Sequence, residues 1–280
     1  MGKSIIIKCF HDKEFYPKKK YISNLRRPIL CGAAIHDFDI KDILRDNTGK
    51  NISNENTQYS ELTGYYWAWQ NLKGYDYIGV EHYGRHFIKH VPYFNDNVKK
   101  EFLLDEKDIE SILSQYDFII PVHETQDESV YELYERCFYE LGIKMLVWIL
   151  RFFHRNGMTN YKEAALRYFS HNRVYRGNLL ITSKQEFDNY CYIMFSMIDY
   201  IKDRMAVDPD SRVWGYLTEV FPMVYILANN KKFKEVDTAV DISKENWAGE
   251  GEKVHTTLAN YETHYTGNPD IIAGILENKI

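Results

Sequence analysis

The residues best suited to chemistry stand where a short apolar stretch stops. Tyr75 to Glu81 reads as a strand, and His82-Tyr83-Gly84-Arg85-His86-Phe87 follows at once. Ligands of open α/β sheets lie at the carboxyl ends of strands, so this strand should deliver His82 and Arg85 to a site. A guanidinium suits phosphate there, because its planar fork binds two oxygens together. Far downstream, Arg212-Val213-Trp214-Gly215-Tyr216-Leu217-Thr218-Glu219 has helical spacing that puts Arg212, Gly215 and Glu219 on one face. Gly215 would leave that face open to a ligand, with Trp214 as a stacking wall beside it. A helix-surface or ion-paired role is the plainer alternative for Glu219.

Other candidates are spread along the chain. The loop Asp46-Asn47-Thr48-Gly49-Lys50-Asn51-Ile52-Ser53 is rich in residues that tolerate φ > 0 and bond their own backbone. Its Asp46, Thr48, Gly49, Asn51 and Ser53 suit hydroxyl-bearing ligands as well as a self-stabilised turn. Glu61 and Thr63 open the aromatic helix that follows, and a carboxylate beside Tyr65, Tyr66 and Trp69 needs a partner. His11 and Lys13 follow the first strand, Gly32 ends a second short apolar run, and Arg176 and Asn178 begin a later one. His82, His86 and His90 repeat every four residues, but the strand before them and Pro92 after them argue against one metal-binding helix face. A metal-dependent hydrolase using His82, His86 and Asp127 is accordingly a remote reading.

These residues need an α/β scaffold. Ser4 to Phe10 is a continuous β-branched run, the mark of a strand buried on both faces. Tyr116 to Pro121 reads as a third strand and Val174 to Thr182 as a fourth. Helices are expected over 61–72, 107–115, 129–155 (broken near Gly142), 160–169, 184–205 and 211–227, the last capped by Asp208 to Ser211. Met145 to Phe153 is apolar nearly all round, which predicts a buried helix or a surface that touches membrane or a lipid-linked ligand. Beyond Asn229 the chain reads as polar and irregular, closing with a short apolar helix, Ile271 to Leu276. Units of 1–230 and 231–280 are expected.

The chain has 280 residues and a formal net charge of −5, which argues against nucleic acid as a partner. Its four cysteines are widely spaced, which predicts reduced thiols and a cytoplasmic protein. Met-Gly-Lys-Ser runs straight into a strand pattern, so no signal peptide is expected.

The segments 46–53, 59–71 and 76–87 together resemble the glycosyltransferases of bacterial capsule and exopolysaccharide clusters, long catalogued as a domain of unknown function. The likeness runs from about Ser4 to the Asn229 region. It departs at Gly84, where that family usually has Arg, and at His86, where it usually has an aromatic. The resemblance implies a GT-A-like Rossmann-type mixed sheet flanked by helices, with a helical C-terminal portion. It implies transfer of a hexose from a nucleotide sugar, such as UDP-galactose or its furanose form. The acceptor would be a capsule, exopolysaccharide or O-antigen glycan, lipid-linked at the inner membrane face, with peripheral membrane contact. His82 and Arg85 would stand where many such enzymes carry a metal-binding Asp-x-Asp, so no divalent metal is expected. The strings Asp37-Phe38-Asp39 and Asp208-Pro209-Asp210 follow no good strand. Donor contacts would come from His11, Lys13, Gly32, Asp46, Thr48, Gly49, Asn51, Ser53, Glu61 and Thr63, and acceptor contacts from Arg176, Asn178 and Trp214. Glu219 would be the base. A non-catalytic carbohydrate-binding or assembly protein on the same fold is the alternative, motivated by Gly84.

Overall fold

The computed structural model describes residues 2–36, 40–89, 100–208, 211–240 and 269–277. The first part of the chain alternates strands with short helices: β1 (Ser4–Phe10), β2 (Arg26–Leu30), β3 (Leu44–Arg45), α1 (Asn56–Tyr59), α2 (Leu62–Asn71), β4 (Tyr77–His82) and β5 (Arg85–Phe87). A helical middle follows: α3 (Glu106–Leu113), β6 (Phe118–Pro121), β7 (Glu124–Thr125), α4 (Val130–Phe138), α5 (Glu140–Arg155), α6 (Thr159–Phe169), β8 (Arg173–Val174), β9 (Leu180–Ser183) and α7 (Lys184–Lys202). The chain then forms α8 (Val213–Thr218), α9 (Phe221–Ala228), β10 (Phe233–Val236), β11 (Thr238–Val240) and α10 (Pro269–Glu277).

Seven strands make one mixed sheet in the order β10-β6-β9-β4-β1-β2-β3. Only β9 runs against its neighbours, β4 and β6. Every residue of β1 is buried, as its unbroken apolar run demands. On one face α2, α5, α6, α7 and α9 pack into the main core. On the other, Ile6, Phe87, Ile109, Ile119 and Ile181 form a smaller core beneath α3. The α/β architecture expected from the sequence is the one observed.

Several local expectations are corrected. The helix expected over 129–155 does break near Gly142, at Tyr139 (φ 50°). Gly142 itself lets α5 press against the Tyr134 carbonyl of α4, where a Cβ would collide. The helix expected over 211–227 is two helices, and its cap position is Arg212, with no side-chain capping bond. Ser211 turns away and donates to the Asp208 carbonyl at 2.6 Å. The strand expected over 174–182 is interrupted, because Gly177 (φ 87°) and Asn178 (φ 48°) turn the chain between β8 and β9. Among the described residues just beyond Asn229 the chain is not irregular: β10 pairs in parallel with β6, and β11 pairs with β5, while residues 241–268 lie outside the described residues. From Met145 to Phe153 the apolar side chains are buried in the core, with Trp148 and Arg151 half-exposed. Among the described residues, no helix is long and apolar enough to cross a membrane. His90, Asp37-Phe38-Asp39 and the last two residues of Asp208-Pro209-Asp210 lie outside the described residues.

Candidate active site

Lys8 lies in the middle of β1 and is fully buried. Its Nζ donates to Glu81 Oε2 at 2.8 Å and to the His82 carbonyl at 3.1 Å, and lies 3.5 Å from the Arg85 carbonyl. Arg26 on β2 pairs with both Glu81 oxygens at 3.2 Å. Burial drives the Glu81 carboxyl up, but Arg26, Lys8 and His86 outweigh it and hold the group well below its usual range. Burial, with Lys8 close by, pulls His86 down to about 4, so its neutral Nδ1 accepts from Lys8 at 2.6 Å. Tyr21 stacks on the His86 ring at 3.7 Å. This buried cluster anchors the turn from His82 to Arg85 to the sheet centre.

Above it opens a cleft of about 220 Å³. The end of β1 contributes His11, and the α1–α2 junction Ser60 and Glu61. The β4–β5 turn contributes His82 to Arg85, and the α8 region Arg212, Gly215, Tyr216 and Glu219. A second hollow of about 370 Å³ adjoins it, sharing His11, Glu61 and His82 and extending to Cys9, Cys31, His36, Asn56 and Thr57.

The groups in the cleft differ in charge preference. Glu219 accepts from the Gly177 amide at 3.2 Å. Burial, then the nearby Glu61 carboxylate, raises its pKa to about 7 against the pull of Arg85 and Arg176. Burial lowers His82 to about 4 despite Glu61, leaving a neutral imidazole. Its Nε2 lies 3.9 Å from Glu61 Oε1 and has no hydrogen-bond partner among the described residues. Glu61 Oε1 accepts from Asn178 Nδ2 at 2.7 Å, which also donates to the Gly215 carbonyl at 3.0 Å. The Arg85 guanidinium rests on Gly177, where any Cβ would displace it. Arg212 Nε donates to Ser60 Oγ at 2.8 Å. Burial, then Arg212 and His36, lowers the His11 pKa. The cleft thus presents two guanidiniums for an anion, a neutral imidazole, and a carboxyl able to exchange a proton near pH 7.

Of the residues singled out in the sequence, His11, Glu61, His82, Arg85, Arg212, Gly215 and Glu219 meet in this cleft, with Asn178 immediately behind Glu61. Others go elsewhere. Asp46 is fully buried and accepts from the Gly32 and Ala33 amides at 2.7 and 2.9 Å and from Ser53 Oγ. Thr48 accepts from Trp67 Nε1 at 2.8 Å. Asn51 bonds the Gly49 carbonyl and the Ser53 amide within its own loop, and Gly49 (φ 58°) sits against Asn71. Thr63 is buried against Asn56 and the Ser60 carbonyl. Lys13 is exposed in a short 3-10 turn and lines neither hollow. Arg176 pairs with Glu124 at 2.7 Å. Trp214 is fully buried, tilted against Tyr59, and cannot form the expected wall; its neighbour Tyr216, 39 % exposed, faces the cleft. Sequence reasoning missed Ser60 and Tyr216 as site residues. Tyr216 stands four residues after Arg212, a spacing that would have placed it there.

Residues 5–231 match the family described as domain of unknown function (DUF4422), and the chain belongs to that family. Among solved structures, it is similar to the apo form of WbbM, a bifunctional glycosyltransferase, with a TM-score of 0.73 and 24 % sequence identity. The likeness covers 90 % of this chain and 48 % of that one, so the chain spans about half the length of that protein. No curated protein matches the chain.

Proposed function

We propose that this member of the DUF4422 family is a glycosyltransferase of GT-A-like architecture. It moves a hexose from a nucleotide sugar to a glycan acceptor. A UDP-sugar is the expected donor, and a capsule, exopolysaccharide or O-antigen glycan, lipid-linked at the inner membrane face, the expected acceptor. The observation that carries this reading is Glu219, a half-buried carboxyl whose pKa is raised to about 7, facing Arg85 across one cleft. In the reaction, Arg85 and Arg212 take the charge that develops on the departing diphosphate. His82, neutral and lining the cleft with a buried Nε2 that lacks a partner among the described residues, positions the sugar. Glu219 removes the acceptor proton as the acceptor oxygen attacks, and the configuration inverts. A carboxyl poised near working pH favours this over a non-catalytic binding role, which requires no such tuning.

Glu219→Gln keeps the shape and removes the base. The variant should bind the nucleotide sugar as before while transfer falls by about 10²–10⁴-fold, the usual contribution of a general base. Retention of configuration in the product, or near-normal transfer by the variant, overturns the assignment. Many GT-A enzymes hold the diphosphate with a divalent ion. His82 and Arg85 occupy the strand end where a metal-binding Asp-x-Asp motif would stand. Transfer should therefore survive EDTA. A strict manganese requirement would redirect attention to Asp37-Phe38-Asp39.

A further inference from the structure

A groove of about 900 Å³ lies between α5 and the end of α7, on surfaces that the cleft does not use. Trp148, Arg151, His154 and Arg155 line it from α5, and Tyr200 and Arg204 from the other side. None of the six is acidic, in a chain whose formal net charge is −5. The cations are set on the rings: Arg151 lies 4.7 Å over Trp148, and Arg204 lies 4.0 Å over Tyr200. Trp148 and Tyr200 meet edge to face at 6.2 Å, and Phe152 supports Tyr200 at 5.5 Å. Lys144, Trp148, Arg151 and Arg155 recur at three- and four-residue steps, so the strip runs along one face of α5 while the opposite face is core. Among the described residues, the exposed Asp199 and Asp203 lie nearby, the latter 4.0 Å from Arg204. Cations at helix C-termini also offset the helix dipole, which accounts for Arg155 and Arg204. Arg151, a turn earlier, is stacked on the half-exposed Trp148.

We propose that this groove seats the protein on an anionic phospholipid surface. The arginines take headgroup phosphates, and Trp148 and Tyr200 enter the interface with their apolar bodies inward and polar edges in water. Charge complementarity and the paired rings identify the occupant. The surface is tied to the cleft: Lys202 at the end of α7 pairs with Glu55 and reaches the Tyr59 ring, and α1 leads directly to Ser60 and Glu61. A bilayer at the groove would hold the α1 side of the cleft close to the headgroups. This inference stands apart from glycosyl transfer, since vesicle binding needs no turnover.

The test is co-sedimentation of the full chain with phosphatidylcholine vesicles, with and without phosphatidylglycerol, at low and high salt. Binding is expected only to the anionic vesicles and only at low salt, with a blue shift of tryptophan emission that Trp148→Phe removes. Combining Arg151→Gln, Arg155→Gln and Arg204→Gln should weaken binding roughly 100-fold while melting temperature and transfer to a soluble acceptor stay unchanged. If the triple variant melts early, Arg155→Glu alone, on the exposed end of α5, should still cut binding about tenfold or more. No sedimentation with anionic vesicles at low salt overturns the proposal. So does binding that ignores these substitutions, or inorganic phosphate binding without vesicle binding.

Discussion

Glu219 is half-buried beside a second carboxyl group, Glu61, and accepts a backbone N–H from Gly177. Its pKa stands at about 7, above the ordinary 4.5. The folded chain therefore holds this proton more tightly than the unfolded chain does. The stability gained is complete below about pH 4.5 and is lost as pH rises through about 7. By pH 8 the loss is up to about 3 kcal/mol. Glu219→Gln should thus melt above the wild type at pH 8, with the gap closing toward pH 5, and calorimetry at both values checks this. Transfer should rise with pH through the same region, since the base must be ionised. Arg85→Ala should cost roughly 2–4 kcal/mol of transition-state stabilisation, the scale of one lost oxyanion donor. Gly177→Ala should mimic part of that loss without touching the charge, because the new methyl displaces the guanidinium. Normal kinetics in both variants would remove Arg85 from the reaction.

At the scale of elements, the buried ion cluster decides where the β4–β5 turn sits. Glu81→Gln leaves Lys8 and Arg26 without their counter-charge and should destabilise the fold by about 3–5 kcal/mol, measurable by denaturant unfolding. Strands β1 and β4 were legible in the sequence because both faces are covered and the apolar runs are therefore continuous. The break after α8 was not, since residues 211–227 keep helical spacing across it. That spacing was read correctly for Arg212 and Glu219 and wrongly for Trp214. Trp214, one residue before Gly215, is turned about 100° from it on the helix and points into the core, whereas Tyr216, one residue after, lines the cleft. The 46–53 loop misled for a different reason. The composition that suits a hydroxyl ligand also suits a loop that bonds itself, and only the fold shows Asp46 spent on the Gly32 and Ala33 amides.

Across the whole molecule, β10 and β11 lie beyond the 1–230 unit expected from sequence and complete two sheets within it. They were illegible because Phe233-Lys234-Glu235-Val236 gains its meaning from distant partners. Glu235 is buried in the sheet, where His123 Nδ1, 2.9 Å away, and Tyr175 Oη bond it. A chain ending at Asn230 loses that carboxylate, the outer strand beside β6, and the β11 partner of Arg85 to Phe87. It should melt markedly lower and lose transfer, and full activity in the shortened chain would show the two strands to be dispensable. The sheet order carries one more consequence, for synthesis. Strand β4 is flanked on one side by β1, already made, but on the other by β9, nearly a hundred residues later in sequence. At about 5–20 residues per second the ribosome leaves that edge open for roughly 5–20 s. During this interval Ile78 and Val80 sit on a strand edge able to pair with another nascent chain. The yield of folded protein will therefore follow how well that edge is shielded during translation, more than the stability of the finished sheet.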